Sequence, residues 1–170
     1  MSSSEFDEEY DTESQKTISA FIFSEPLGHV PRRKTVTVSS SATVEEAIAA
    51  MNDNHSGCAL VVDAKGKLVG IFTERDVLTK VVGRKLDGKA KVEKVMTANP
   101  FTLPASASIG FALAKMTDQG YRHIPLVKAD GAPSGVVAVR DIVAWLVDFM
   151  PSGLLNLPPS TALPTEEGGG

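Results

Sequence analysis

Ser56–Asp76 reads SGCALVVDAKGKLVGIFTERD, and 65 residues further on, without a gap, Tyr121–Asp141 reads YRHIPLVKADGAPSGVVAVRD. Gly66 falls on Gly131, Gly70 on Gly135, Arg75 on Arg140 and Asp76 on Asp141. Upstream, SATVEEAIAAMND (Ser41–Asp53) lies over SASIGFALAKMTD (Ser106–Asp118) in the same register. Two copies of so long a period describe two similar small units packed face to face, since a solenoid needs three or more. The clefts between the copies are where a site is expected.

Each copy reads as strand, helix, strand, strand, helix. In the first, Thr35–Val38 is a short β-branched strand. Thr43-x-x-Glu46 then opens an amphipathic helix as a capping box, with Val44, Ala47, Ile48 and Met51 on one face. Cys58–Val62 is an apolar strand, Asp63–Gly66 supplies turn chemistry, and Leu68–Phe72 returns as the second arm of a hairpin. A second helix starts at Thr73 and runs to about Val82. The second copy predicts strands at Phe101–Leu103, Ile124–Val127 and Gly135–Val139, and helices at Ser108–Gln119 and Arg140–Met150. The chain divides into an acidic, disordered start (1–17), a first repeat with its lead-in (18–83), a linker (84–90), a second repeat (91–150) and a Pro- and Gly-rich tail (151–170).

Composition limits the function classes. The chain has 170 residues, 42% of them hydrophobic, and no apolar run reaches the ~18 residues of a spanning helix. Its start lacks the basic and apolar regions of a secretion signal, and one cysteine cannot form an internal disulfide; both fit the cytoplasm. Cys58, beside the run ALVV, is expected to be a buried thiol. Residues 1–16 carry a net charge of −5 and the tail −2, leaving residues 17–150 at +3. That mild basicity suits a phosphorylated small ligand. With 6% aromatic residues and short basic clusters, nucleic acid is not the expected partner. No catalytic residue, metal or cofactor is expected: His29, His55 and His123 show no ligand spacing, and no P-loop, Gly-x-Ser-x-Gly or Gly-x-Gly-x-x-Gly occurs. His55, in Asn-His-Ser-Gly at a helix end, reads as a cap.

Gly70-Ile-Phe-Thr-Glu-Arg-Asp76 and Tyr121-Arg-His-Ile-Pro-Leu-Val127 resemble the motifs of cystathionine-beta-synthase (CBS) domains, here as a tandem pair or Bateman module spanning roughly Pro26–Met150. The resemblance implies an α+β fold of two pseudo-symmetric βαββα CBS repeats packed through their sheets. It also implies a non-enzymatic sensor of adenine nucleotides (AMP, ADP or ATP) or related adenosyl ligands, acting on an unknown protein partner. The alternatives are a structural dimerisation module with empty clefts and a nucleic-acid-associated regulator suggested by the basic core.

By that resemblance the ligand-binding residues are Thr73, Asp76, Thr97, Arg122, His123, Arg140 and Asp141. A carboxylate at a helix start accepts hydrogen bonds from ribose hydroxyls, and a hydroxyl three residues earlier adds another. Thr-x-x-Asp is equally the pattern of a helix cap. The second copy carries Ala138 in place of Thr73, so its cleft has one contact fewer. Arg122 and His123 offer phosphate-binding donors where the first copy has Gly57 and Cys58, or else are a solvated arginine and a core-edge histidine. Thr73 and Asp76 would face Thr97, while Asp141, Arg122 and His123 would face Arg32–Lys34, itself otherwise a solvated loop. The first cleft then holds the better ribose half and the second the better phosphate half. Arg75 and Arg140 reach a phosphate or pair with their neighbours. A homodimer is expected from the apolar last helix (Ile142, Val143, Leu146, Val147, Phe149, Met150), with Trp145 as an interface anchor.

Overall fold

Cys58-Ala-Leu-Val-Val62 has no charged residue and suits a strand covered on both faces; it forms β2 at the centre of the first unit. In this computed structural model, which describes residues 21–32 and 34–148, β1 (Thr37–Ser39) pairs with β2 in parallel, and α1 (Val44–Asp53) crosses between them. β3 (Leu68–Thr73) returns antiparallel to β2. The acidic start, Arg33, Phe149, Met150 and the tail lie outside the described residues. The second unit repeats the plan with α3 (Ile109–Gln119), β5 (His123–Val127), β6 (Pro133–Ala138) and α4 (Val139–Val147).

Local signals explain most boundaries. Thr43 and Glu46 close a capping box on α1, with Thr43 N–H donating to Glu46 Oε2 at 2.7 Å and Glu46 N–H to Thr43 Oγ1 at 3.2 Å. The copies also end their first helices alike, His55 at φ 49° and Gly120 at φ 69° both being left-handed. His55 thus terminates its helix through the backbone, its N–H bonding Asn52 O at 3.1 Å. The hairpins match residue for residue, Cys58 opposite Thr73 and His123 opposite Ala138, with a register shift at the same place in each.

Three elements differ from the sequence expectation. Phe101–Leu103 forms one parallel bridge, Leu103 to Leu126, because Pro100 and Pro104 remove the flanking donors. The helix after Thr73 is α-helical only over Glu74–Asp76 (α2) and then widens into π-type turns at Val77–Val82. β-branched Val77, Thr79, Val81 and Val82 crowd that stretch and weaken ordinary helix. Instead of two three-stranded sheets, hydrogen bonding gives a four-stranded and a two-stranded one, since β4 (Thr97–Ala98) adds to the edge of β3.

β4 belongs to an exchange. Lys91 bridges Thr43 at the start of α1, and Pro26 bridges Ser108 at the start of α3. The segment leading into each repeat therefore packs on the other one. Leu27 and Val30 are buried among Ile109, Met116, Ile124 and Trp145 of the second unit. Val92 and Val95 fill the equivalent places beside Val44, Met51 and Phe72 of the first. At ~1.5–3 kcal/mol for each fully buried side chain, these plugs are part of each core. The sheets meet along a seam of Cys58, Leu60, Leu68, Ile71 and Val136, and Leu68 N–H donates to Gly131 O at 3.0 Å. Two βαββα units packed through their sheets make an α+β fold. No helix among the described residues is long and apolar enough to cross a membrane.

Candidate functional site

Thr73 ends β3 in extended backbone and caps α2. Asp76 N–H donates to Thr73 Oγ1 at 3.3 Å, and both the Thr73 N–H (2.9 Å) and its hydroxyl (2.7 Å) donate to Asp76 Oδ2. Asp76 is buried, at 6% exposure. Its other oxygen, Oδ1, pairs with Lys80 Nζ at 2.7 Å, one turn along the helix. The helix-cap and ribose readings of Thr-x-x-Asp thus share one geometry: the cap is made, and it holds a carboxylate acceptor at the edge of a cleft.

That cleft encloses about 290 Å³, near the small end of ligand pockets. Thr73, Arg75 and Asp76 form one wall, and Thr97, Asn99 and Phe101 the facing one. Tyr121, Arg122 and His123 close it from the second repeat. The Phe101 and Tyr121 rings stack at 6.0 Å with 13° between their planes, giving a flat apolar surface beside the polar groups. Asn99 holds a left-handed turn (φ 48°) that asparagine tolerates, its N–H donating to Val69 O at 3.1 Å.

Arg122 and His123 therefore line this cleft with Thr73, Asp76 and Thr97, where the resemblance had set them with Asp141; His123 still lies within electrostatic reach of Arg140 and Asp141. The pseudo-twofold relation is the reason. The starts of β2 and β5 meet near its axis: a Cβ on Gly57 would sit 3.3 Å from His123 Nε2 and 3.4 Å from Glu74 Oε2. Residues entering β5 consequently cross into the neighbouring cleft. Arg140 and Asp141 fall outside it. Asp141 accepts from Ala138 N–H at 3.2 Å, Arg140 Nε lies 3.7 Å from Asp141 Oδ1, and Arg32 rests against Gly135, where a Cβ would meet its Nη1 at 3.2 Å.

Burial neutralises the two groups nearest the seam. It pushes the His123 imidazole below its ordinary pKa; Arg140 adds to this and Glu74 and Asp141 oppose it. Neutral His123 offers one N–H donor and one acceptor. Cys58, at the equivalent position of the first repeat, is a buried free thiol whose pKa burial pushes up to about 11, against a lowering hydrogen bond from Ser56. It is an inert packing group. Among the described residues no three His, Cys, Asp or Glu side chains gather as a metal site.

Phe101, Tyr121, Asn99 and Glu74 were not among the sequence candidates. Tyr121 and Phe101 occupy the places of Ser56 and Val36 in the other copy. Comparing the copies for changes of residue type, not for identities, would have flagged them.

The family model of the CBS domain matches residues 27–83 and 92–148. The chain belongs to the CBS domain family. A 17.7 kDa uncharacterised protein of Acidianus ambivalens is 31% identical over 122 residues, 72% of this chain and 73% of that protein. A CBS domain-containing protein of Arabidopsis thaliana is 35% identical over 116 residues, 68% of this chain. This CBS pair spans only 20% of the Arabidopsis protein's length and 60% of that of a Methanopyrus kandleri relative. Among solved structures, a signal-transduction protein with CBS domains from Burkholderia ambifaria superposes with a TM-score of 0.66 at 31% identity, over 74% of this chain and 93% of that one. A CBS domain protein of Pyrobaculum aerophilum, solved with AMP, shares the fold at a TM-score of 0.65 and 24% identity, over 72% and 98%.

Proposed function

We propose that this CBS pair is a non-enzymatic regulatory module that binds an adenine nucleotide (AMP, ADP or ATP) or a related adenosyl ligand in the cleft between Asp76 and Arg122. The observation that carries this is the meeting, in one cavity, of three chemistries at suitable places. Asp76, Thr73 and Thr97 supply acceptors and hydroxyls for a ribose. Arg122, Arg75 and neutral His123 supply donors for phosphate, and the Phe101–Tyr121 stack supplies a face for a base. Proteins of the same fold hold AMP, or 5'-methylthioadenosine and S-adenosyl-L-methionine. Binding shifts the repeats relative to each other, and a protein partner reads the shift. In this reading neither nucleic acid nor a membrane is a partner, and the single buried thiol suits the cytoplasm.

The module acts as a homodimer. Ile142 and Trp145, expected at an interface, are buried in the chain's own core. The apolar surface lies instead at Leu78, Val82 and Val143, which are 67%, 64% and 49% exposed. Leu78 and Val143 occupy equivalent positions in the two repeats. Light scattering at micromolar concentration tests this, a monomer mass counting against it.

Thermal-shift and calorimetric titration with AMP, ADP, ATP, S-adenosylmethionine and a cyclic dinucleotide tests the ligand. At 100 times its dissociation constant a ligand adds about 2.7 kcal/mol of stability. A second reading, a purely structural dimerisation module, draws on Asp76, whose acceptor positions are largely used by the protein itself. Absence of any shift with all five would decide for it.

A further inference from the structure

Lys80 links Asp76, which lines the cleft, to the segment that leads into Thr97, which lines it too. Its ammonium lies 2.7 Å from Asp76 Oδ1 and donates to the Val95 carbonyl at 2.9 Å. Val95 stands two residues before Thr97, on the segment that crosses from the second repeat to form β4. One side chain thus ties the carboxylate on one wall to the strand that carries the facing hydroxyl.

The fold does not require a lysine here. Trp145 holds the equivalent position of the second repeat, and Val30 that of Val95; both are buried in one apolar cluster. A side chain without a charge therefore closes the same junction, and exchanging a shielded ion pair for uncharged packing is often neutral or stabilising. The charge at Lys80 calls for another reason, and the carboxylate supplies it. Asp76 has about four acceptor positions. Thr73 takes two on Oδ2 and Lys80 one on Oδ1, which leaves one on Oδ1 for a ligand hydroxyl. Lys80 sits in the π-type stretch Val77–Val82, an irregularity frequent at functional sites and absent from the second repeat.

We infer that Lys80 is a positioning residue: it fixes the direction of the one free acceptor of Asp76 and sets the Val95–Thr97 wall opposite it, and so determines selectivity for a ribose over a deoxyribose. The ligand half of this inference rests on the nucleotide reading above; the structural half does not.

Two measurements on the 170-residue chain as wild type, Lys80→Met and Lys80→Arg test it. In amide hydrogen exchange without ligand, Lys80→Met is expected to speed exchange at Met96, Thr97 and Ala98 while Ile124 and Leu126 stay protected, with protection restored in Lys80→Arg. In titrations with AMP and 2'- and 3'-deoxy-AMP, Lys80→Met is expected to bind AMP roughly tenfold more weakly, as for loss of a charge-assisted hydrogen bond. Its preference for AMP over the deoxy forms should shrink, and Lys80→Arg should recover it. Unchanged local exchange together with unchanged ribose preference overturns the assignment, as does a uniform rise in exchange across both repeats. If wild type binds none of the five ligands named above, the nucleotide reading fails, and the exchange pattern still decides whether Lys80 fixes the wall.

Discussion

The two repeats build the same helix start from different parts. In the first, Thr73 and Asp76 exchange three hydrogen bonds and Lys80 pairs with the carboxylate. In the second, Ala138 offers only its N–H to Asp141, Arg140 stands 3.7 Å away, and Trp145 replaces the lysine. Both start helices and both end the same hairpin, so the fold does not need the hydroxyl or the ammonium. What the first repeat adds is a fixed acceptor beside an arginine and a histidine lent by its neighbour. The two clefts are thus divergent copies, and one nucleotide per chain is the expected stoichiometry.

The largest expected effect tests which repeat each lead-in supports. Leu27→Ala should cost about 2–5 kcal/mol, and hydrogen exchange should locate the loosening in α3 and β5, not in the adjoining first repeat. Loosening confined to β1–β3 would contradict the exchange of segments. Next comes Asp76→Ala, expected to weaken AMP binding roughly 10–100-fold, whereas Asp141→Ala should leave it within about threefold. Equal losses in calorimetry would make the clefts equivalent after all. Ala138→Thr is a smaller change. It should supply the missing cap, raising stability by about 1 kcal/mol, without creating a second site, because Arg122 and His123 already serve the first cleft.

The seam pair gives the smallest effects, distinguished by sign. His123 has a folded-state pKa below its ordinary value, so the unfolded chain takes up the proton first as pH falls. Its contribution to stability is full above about pH 6.5 and is lost below that, as the unfolded imidazole charges. Melting curves of His123→Gln between pH 7.5 and 5.5 should accordingly slope less than those of the parent. Cys58, raised to about 11, behaves oppositely: its contribution is lost as pH rises above its ordinary 9.0. A thiol reagent should label Cys58 only after denaturation, and rapid labelling at pH 8 would refute its burial.

The fold was legible because periodicity and repetition are properties of the sequence: Met51 and Met116, Gly66 and Gly131, Thr43 and Ser108 each recur in register. Where local chemistry was decisive, as at the Thr43–Glu46 box, boundaries followed within a residue or two. The π turns were not legible, because they depend on contacts between segments far apart in the chain; the crossed lead-ins entered only through the family resemblance, which set Thr97 against Thr73 and Asp76. The same limit applied to Arg122 and His123, which line the cleft of Thr73 and Asp76. A register establishes that two residues are equivalent, but which cleft they enter depends on where the axis runs. Lys80 carried no motif at all; only its reach to Val95 distinguishes it from a solvated lysine.

The crossed lead-ins bear on how the chain folds. Leu27 must travel past the whole first repeat to reach Ile109, and Val92 must turn back to Val44, so each core closes only after long loops have formed. Such contacts raise contact order and slow folding relative to two independent halves. They also deny either half a complete core of its own. A single calorimetric transition is expected in place of two, and halves separated at residues 84–90 should regain structure only when mixed.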